Sequence, residues 1–208
     1  MKNLIIVGAG EFGRELYWTI LESIGYSTEF EVKGYLDDGE PAAFTKLQRP
    51  LLGTTQGYEM EKDDVFTCAV ANPLNRQRIV DYMLSRGAEF VDIIHKTAII
   101  QGSVQHGEGL IMCPFTALGD SSVIGNHVMI NTFSAVGHDS RVDDFTCIMA
   151  HCDITGHANI GKRVFIGGGA GTVPYVNIGD DAYVGAGSIV LRKVKPGVKV
   201  FGNPAVEI

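Results

Sequence analysis

The chain has no apolar run approaching 18 residues, no cluster of Lys or Arg, no CxxC pair and no histidine before His95. Each absence excludes something. Without a long apolar run there is no candidate membrane-spanning helix, and Met1-Lys2-Asn3 leads straight into a short strand rather than a signal peptide. Lys and Arg number 17 against 24 Asp and Glu, a formal charge of −7. With no basic run either, nucleic acid and anionic membrane are poor candidate partners. The four cysteines, Cys68, Cys113, Cys147 and Cys152, lack metal-ligand spacing and read as reduced thiols of a cytoplasmic protein. A length of 208 residues leaves room for one large or two small domains.

What is present is a period of six. From Ile94 to Val190 every sixth residue is Ile, Leu, Val or Met, except His106 and Thr172. A hydrophobic content of 45% would fill about eight of these seventeen positions by chance. A second series of mostly small residues runs four behind it, through Thr116, Ser122, Ser134, Ser140, Thr146, Cys152, Ala158 and Ala170. Six matches neither the helical period of 3.6 nor the strand period of 2. It matches a parallel β-helix in which each hexapeptide makes one flat face and a turn. Residue n then lies beneath residue n+18 at roughly 4.8 Å. The Gly, Asn or Asp that often follows the aliphatic (Gly119, Gly125, Asn131, Gly137) is expected to supply positive φ at the corners.

The stretch before this repeat has another character. Leu4-Ile5-Ile6-Val7 reads as a buried strand, and Gly8-Ala9-Gly10-Glu11-Phe12-Gly13 follows at once. That is G-x-G-x-x-G between a strand and a helix, the context in which backbone N–H groups hold a phosphate. Phe12, Leu16, Ile20 and Ile24 mark one face of a helix expected to reach Gly25. A second strand, about Phe30 to Leu36, ends in Asp37-Asp38, placed to meet a ribose or base. A third strand from Asp64 to Val70, a helix from Pro73 to about Arg86 and a fourth strand from Phe90 to Ile94 complete an α/β unit of residues 1–92. Its small sheet suits a nucleoside diphosphate better than a dinucleotide, which leans against a dehydrogenase.

Among the six histidines, His138 has the best surroundings for a general base. It is third in its hexapeptide and so points outward, Asp139 follows it, and Gly156 lies eighteen residues on. His157 lies one coil above Asp139, so this carboxylate can be shared by two imidazoles. His151 and His157 are six apart and diverge within one chain, but a trimer could join them to a third histidine around a metal, as in gamma-class carbonic anhydrases. Arg192, Lys193 and Lys195, just past the repeat, could meet a phosphate or simply form a solvated cap.

These residues together resemble a family, the bacterial sugar O/N-acyltransferases. The resemblance rests on Gly8-Ala9-Gly10-x-x-Gly13, Leu36-Asp37-Asp38, Ile94-His95-Lys96-Thr97-Ala98, Ile130-Asn131-Thr132, Gly137-His138-Asp139, the unbroken hexapeptides and Gly202-Asn203-Pro204-Ala205. The family includes nucleotide-sugar 4-N-acetyltransferases of the bacillosamine or perosamine type and sialic-acid O-acetyltransferases. The likeness implies a Rossmann-like βαβ domain at 1–92, binding a nucleotide sugar, and a left-handed parallel β-helix at 93–208. It implies a homotrimer with acetyl-CoA in grooves between neighbouring helices, and no metal. The nucleotide-diphosphate sugar, UDP- rather than GDP-linked, would meet Gly8, Gly10, Gly13, Asp37, Asp38 and Asn72. His138 would be the base, with Asp139 its acidic partner and Asn131 in support. Gly156 would meet the thioester carbonyl, and Cys147, Gly168 and Ala186 would line the acetyl-CoA site. The chain departs from the family at Phe12 and Cys147, where members often have histidine, and Cys147 is given no catalytic role.

The expected reaction is therefore acetyl transfer from acetyl-CoA to an amino group, a 4-amino group by family likeness, of a nucleotide-linked deoxysugar. O-acetylation of a sialic acid or another hydroxyl, a metal-dependent hydratase and a non-catalytic scaffold stand as the alternatives.

Overall fold

Leu4, Ile5 and Ile6 are fully buried and Val7 is nearly so. A strand apolar on both faces belongs at the centre of a parallel sheet covered on both sides, and that is where it lies. In the computed structural model, which describes residues 1–40 and 44–208, the chain divides into two compact units, Met1–Lys96 and Thr97–Ile208. In the first unit β1 (Lys2–Val7) pairs in parallel with β2 (Phe30–Leu36) on one side and β4 (Asp64–Cys68) on the other. The short β3 (Leu51–Gly53) extends the β2 edge, giving the order β3-β2-β1-β4. Two helices, α1 (Glu11–Leu21) and α2 (Pro73–Ser85), complete the unit.

Three local expectations need correction. Helix α1 stops at Leu21, short of Gly25, and its buried face is Gly13, Leu16, Tyr17, Thr19 and Ile20. Ile24 is 63% exposed and anchors nothing. Strand β3 was not foreseen, since three residues between Pro50 and Thr54 carry no measurable period. The expected strand Phe90–Ile94 is only a single bridge from Phe90 to Phe66 followed by a separate pair, Ile93–Ile94. After one contact with β4, the chain instead satisfies the Ile94 carbonyl with the Ile24 N–H at 2.9 Å.

The second unit is the parallel β-helix. Strands of two residues stack with an offset of eighteen, as in Met129↔Cys147, Ala135↔Asp153 and Arg141↔Asn159. From Met112 to Val190 every sixth residue is buried, whereas His106, in the first coil, is exposed. From Leu110 on the small series is buried too, and several of its hydroxyls are paired across coils, although Ser122 Oγ has no partner among the described residues. Ser140 Oγ donates to Thr155 O (3.0 Å) and accepts from Ala158 N (3.2 Å). Thr146 Oγ1 donates to Gly161 O (2.7 Å) and accepts from Val164 N (3.1 Å). A buried hydroxyl is tolerated when both of its roles are filled, and Ser140 and Thr146 each tie two coils together at a corner.

The corner conformation is shifted from the expected position. Positive φ falls three residues after the aliphatic, at Phe133 (59°), Asp139 (55°), His151 (59°), His157 (58°) and Tyr175 (64°). Glycine directly after the aliphatic answers a different need. A Cβ on Gly119 would lie 2.6 Å from His138 N, and one on Gly137 would lie 2.5 Å from Gly156 N. Close approach of successive coils, rather than backbone handedness, requires glycine there.

Candidate active site

The strand Ala135–Val136 ends in Gly137, and the tight corner that follows throws His138 outward. Asp139 takes the left-handed conformation, which short acidic side chains tolerate better than most. Its carboxylate thereby turns back onto its neighbour, and His138 Nδ1 lies 2.7 Å from Asp139 Oδ2. With a proton on Nδ1 donated to the carboxylate, Nε2 keeps its lone pair and can accept one. The hydrogen bond from His138 is the main cause holding the Asp139 carboxyl below its ordinary range; burial opposes it less strongly, and the His157 and His138 charges add smaller lowering contributions. Asp139 is therefore ionised at neutral pH.

Gly156 occupies the equivalent position one coil on. A Cβ there would sit 2.7 Å from His138 Nε2, so the imidazole edge fills the space a side chain would take. Among the described residues the Gly156 N–H has no protein acceptor. The corner thus joins a basic nitrogen to an unobstructed backbone donor, the pair of groups that acyl transfer needs. His157 completes the cluster. Its Nε2 lies 3.9 Å from Asp139 Oδ2, its ring meets His138 edge-on (5.1 Å, 86°) and it stacks flat on Tyr175 (4.5 Å, 4°). Tyr175 went unnoticed in the sequence, although it follows His157 by eighteen residues. The ligand atoms of His138, Asp139 and His157 all lie within 4.8 Å of one another, the one such group among the described residues.

The other residues expected at the site are not gathered here. Asn131 is 7% exposed and its Oδ1 accepts from Thr132 N at 2.6 Å. Gly168 and Ala186 sit two residues after Ile166 and Val184, on the corner that precedes the Ala135 sheet, whereas His138 and Gly156 are on the corner that follows it. Cys147 corrects an expectation. It is fully buried, its thiol 3.7 Å from Met149 Sδ, and it offers no surface to a coenzyme in this chain. Its register partners on the adjacent coils are Met129 and Phe165. Of the cations after the repeat, Lys193 lines a cleft of about 360 Å³ with Arg141, Asp143, Asn159, Asn177 and Pro196.

In the first unit the glycine turn is built as phosphate sites are. A Cβ on Gly13 would lie 2.0 Å from Gly8 O, so helix and turn can meet only through glycine. Nothing lies within 4 Å of a Cβ on Gly10, which is the N-cap of α1 and carries no side-chain cap. The N-terminal N–H groups of α1 therefore face open space. That space is a hollow of about 390 Å³ lined by Ala9, Gly10, Glu11, Arg14, Phe44, Thr45 and Lys46. Arg14 and Lys46 bring positive charge that the glycine motif alone did not announce, and spacing along α1 from Gly10 could have found Arg14. A smaller hollow of about 120 Å³ includes Gly8, Asp37, Asp38 and Thr55.

Both acids are already engaged. Asp37 Oδ2 accepts from Ala9 N (2.7 Å), bracing the turn itself, and Asp38 accepts from Thr55 N and Oγ1 (2.7 and 2.9 Å). Asn72 is exposed and caps α2 through Asn75 N (2.9 Å). It lines neither hollow.

A hexapeptide β-helix with an outward histidine–aspartate pair over a bare glycine amide, preceded by a phosphate-type glycine turn, defines the class of coenzyme A-dependent acyltransferases with a nucleotide-binding unit. Comparison with known proteins agrees. The family described as PglD N-terminal domain matches residues 3–83. The GDP-perosamine N-acetyltransferase of Escherichia coli O157:H7 is 31% identical, over 98% of this chain and 95% of that protein. The acetyltransferase domain of PglB from Neisseria gonorrhoeae, solved with acetyl coenzyme A, superposes with a TM-score of 0.89 at 26% identity, covering 100% of this chain and 99% of that one. PerB from Caulobacter crescentus, solved with CoA and GDP-perosamine, gives 0.82 at 27% identity, covering 100% and 98%. The chain belongs to the bacterial sugar N-acetyltransferase family. It is an enzyme that uses acetyl-CoA to acetylate the amino group of a nucleotide-linked amino sugar.

Proposed function

We propose that His138 is the general base of this reaction and that Gly156 N–H receives the oxyanion. The observation carrying this reading is His138 Nε2 poised over Gly156, with Nδ1 tied to Asp139 at 2.7 Å. His138 takes the proton released as the sugar nitrogen bonds to the thioester carbonyl carbon. Gly156 N–H stabilises the negative charge gathering on that oxygen. When the C–S bond breaks, the imidazolium returns its proton to the departing thiolate. Asp139 stays ionised throughout and offsets the positive charge on the imidazole.

The acceptor is a nucleoside-diphosphate 4-amino deoxysugar, its diphosphate at the N-terminus of α1 with Arg14 and Lys46 beside it. The resemblance favours uridine, but GDP-perosamine is the sugar nucleotide named for PerB and for the relative from Escherichia coli. The guanosine-linked sugar is therefore the first to assay. The working unit is a homotrimer, because Gly168 and Ala186 lie on a different corner from His138. One chain cannot gather the whole set, while a groove between two copies can. Reduced buried thiols and the absence, among the described residues, of a helix able to cross a membrane are compatible with the cytoplasm, where we place the enzyme.

Light scattering on the active protein is expected to give a trimer, and a monomer with full turnover would overturn that assignment. Gly10→Val places a branched side chain in the phosphate hollow without meeting protein, since no atom lies within 4 Å of the Cβ position. It is expected to raise KM for the sugar nucleotide by about tenfold or more, from lost N–H and dipole contacts, and to leave KM for acetyl-CoA unchanged. Equal loss for both substrates would remove the nucleotide from this turn.

A further inference from the structure

We propose that His157 is a positioning residue for His138, acting through the carboxylate they face together. The inference rests on His138 being the base. Asp139 is about half exposed in its side chain, and a carboxylate held by one hydrogen bond can swing toward water. Its Oδ2 is the atom bound by His138 Nδ1, and it also faces His157 Nε2 at 3.9 Å. That separation is too long for a hydrogen bond and short enough for an ion pair. A protonated His157 keeps Oδ2 turned inward, against the nitrogen of His138 that must keep its proton.

His157 is itself held rigidly. Its N–H donates to His138 O at 2.9 Å, so the two residues are joined through the backbone as well. Its ring lies flat on Tyr175 at 4.5 Å and edge-on to His138 at 5.1 Å. Tyr175 itself stays 69% exposed. It serves chiefly to fix the plane of the imidazole. The result is an ordered series Tyr175, His157, Asp139, His138, in which each group restricts the next.

His157→Ala is expected to lower kcat about tenfold, the size of a coupling between contacting groups. KM for both substrates and the thermal midpoint should be unchanged. His157→Gln, which keeps a planar donor over Tyr175 but carries no charge, should recover little of the loss, because the contact is an ion pair and not a hydrogen bond. In an Asp139→Asn background, His157→Ala should have no further effect, because its route to the base is already cut. A full additive loss in that background would overturn the inference. So would a rise in acceptor KM at constant kcat, which would make His157 a substrate contact. Bound zinc in stoichiometric amount, with activity lost to chelator, would overturn it too and make the cluster a metal site. If His157→Ala is silent while His138→Ala is severe, this inference alone fails. If His138→Ala is silent, the assignment of the base fails first.

Discussion

His138→Ala is expected to reduce kcat by about 10²–10⁴-fold, the usual contribution of a general base, and to leave the fold intact. The side chain projects from a corner and is 61% exposed, so it adds nothing to the aliphatic interior. Both KM values should change little, because the amine and the thioester are bound by other groups. An amino-sugar nitrogen is partly neutral near pH 7, so activity should recover in part as pH rises and the unprotonated amine accumulates. Steady-state kinetics across pH, with circular dichroism on the same samples, checks both halves. A near-silent variant would return His138 to the ordinary surface histidines. Asp139→Asn should cost less, since the amide still accepts from Nδ1 and only the charge is lost.

Gly156→Ala should be almost as damaging for a different reason. The new Cβ would fall 2.7 Å from His138 Nε2 and 2.9 Å from Cε1, closer than carbon is found to either. The neighbour is the free end of a side chain, so the ring moves and the β-helix stays. A displacement of about 1 Å at a reacting group can cost about 10²-fold, and the methyl also stands beside the N–H meant for the oxyanion. The expected result is a kcat loss of about 10²-fold or more at an unchanged melting temperature. Gly137→Ala is the contrast. Its Cβ would lie 2.5 Å from backbone, Gly156 N, which cannot swing aside, so stability should fall together with activity. Equal melting losses for the two variants would mean that the His138 ring does not occupy the space above Gly156.

The repeat was legible because it is one-dimensional. An aliphatic every six residues specifies three faces per coil, and the offset of eighteen then places Gly156 over His138 and His157 over Asp139 before any coordinates are known. The glycine turn was equally plain, since a strand, three spaced glycines and a helix occur in immediate succession. What the alphabet of residues could not convey was which atom meets which. Asp37 and Asp38 read as ligands for a ribose, and what the sequence did not show is that their carboxylates also brace Ala9 and Thr55. Asn72 read as a substrate contact, and its side chain also caps α2. Short polar side chains serve the nearest backbone N–H whenever local geometry offers one, and that geometry has no signature in composition.

Cys147 was put beside a coenzyme by the family resemblance alone, and its side chain is fully buried. By itself, then, the sequence determined the β-helix, its register and the pairing of His138 with Asp139, because each follows from spacing along a regular ladder. Tertiary structure alone decided the orientation of the imidazole over Gly156, the flat geometry of the His157–Tyr175 stack and the approach of Lys46 to the hollow at the N-terminus of α1. Those depend on side-chain torsions and on segments far apart in the chain, which no spacing rule constrains.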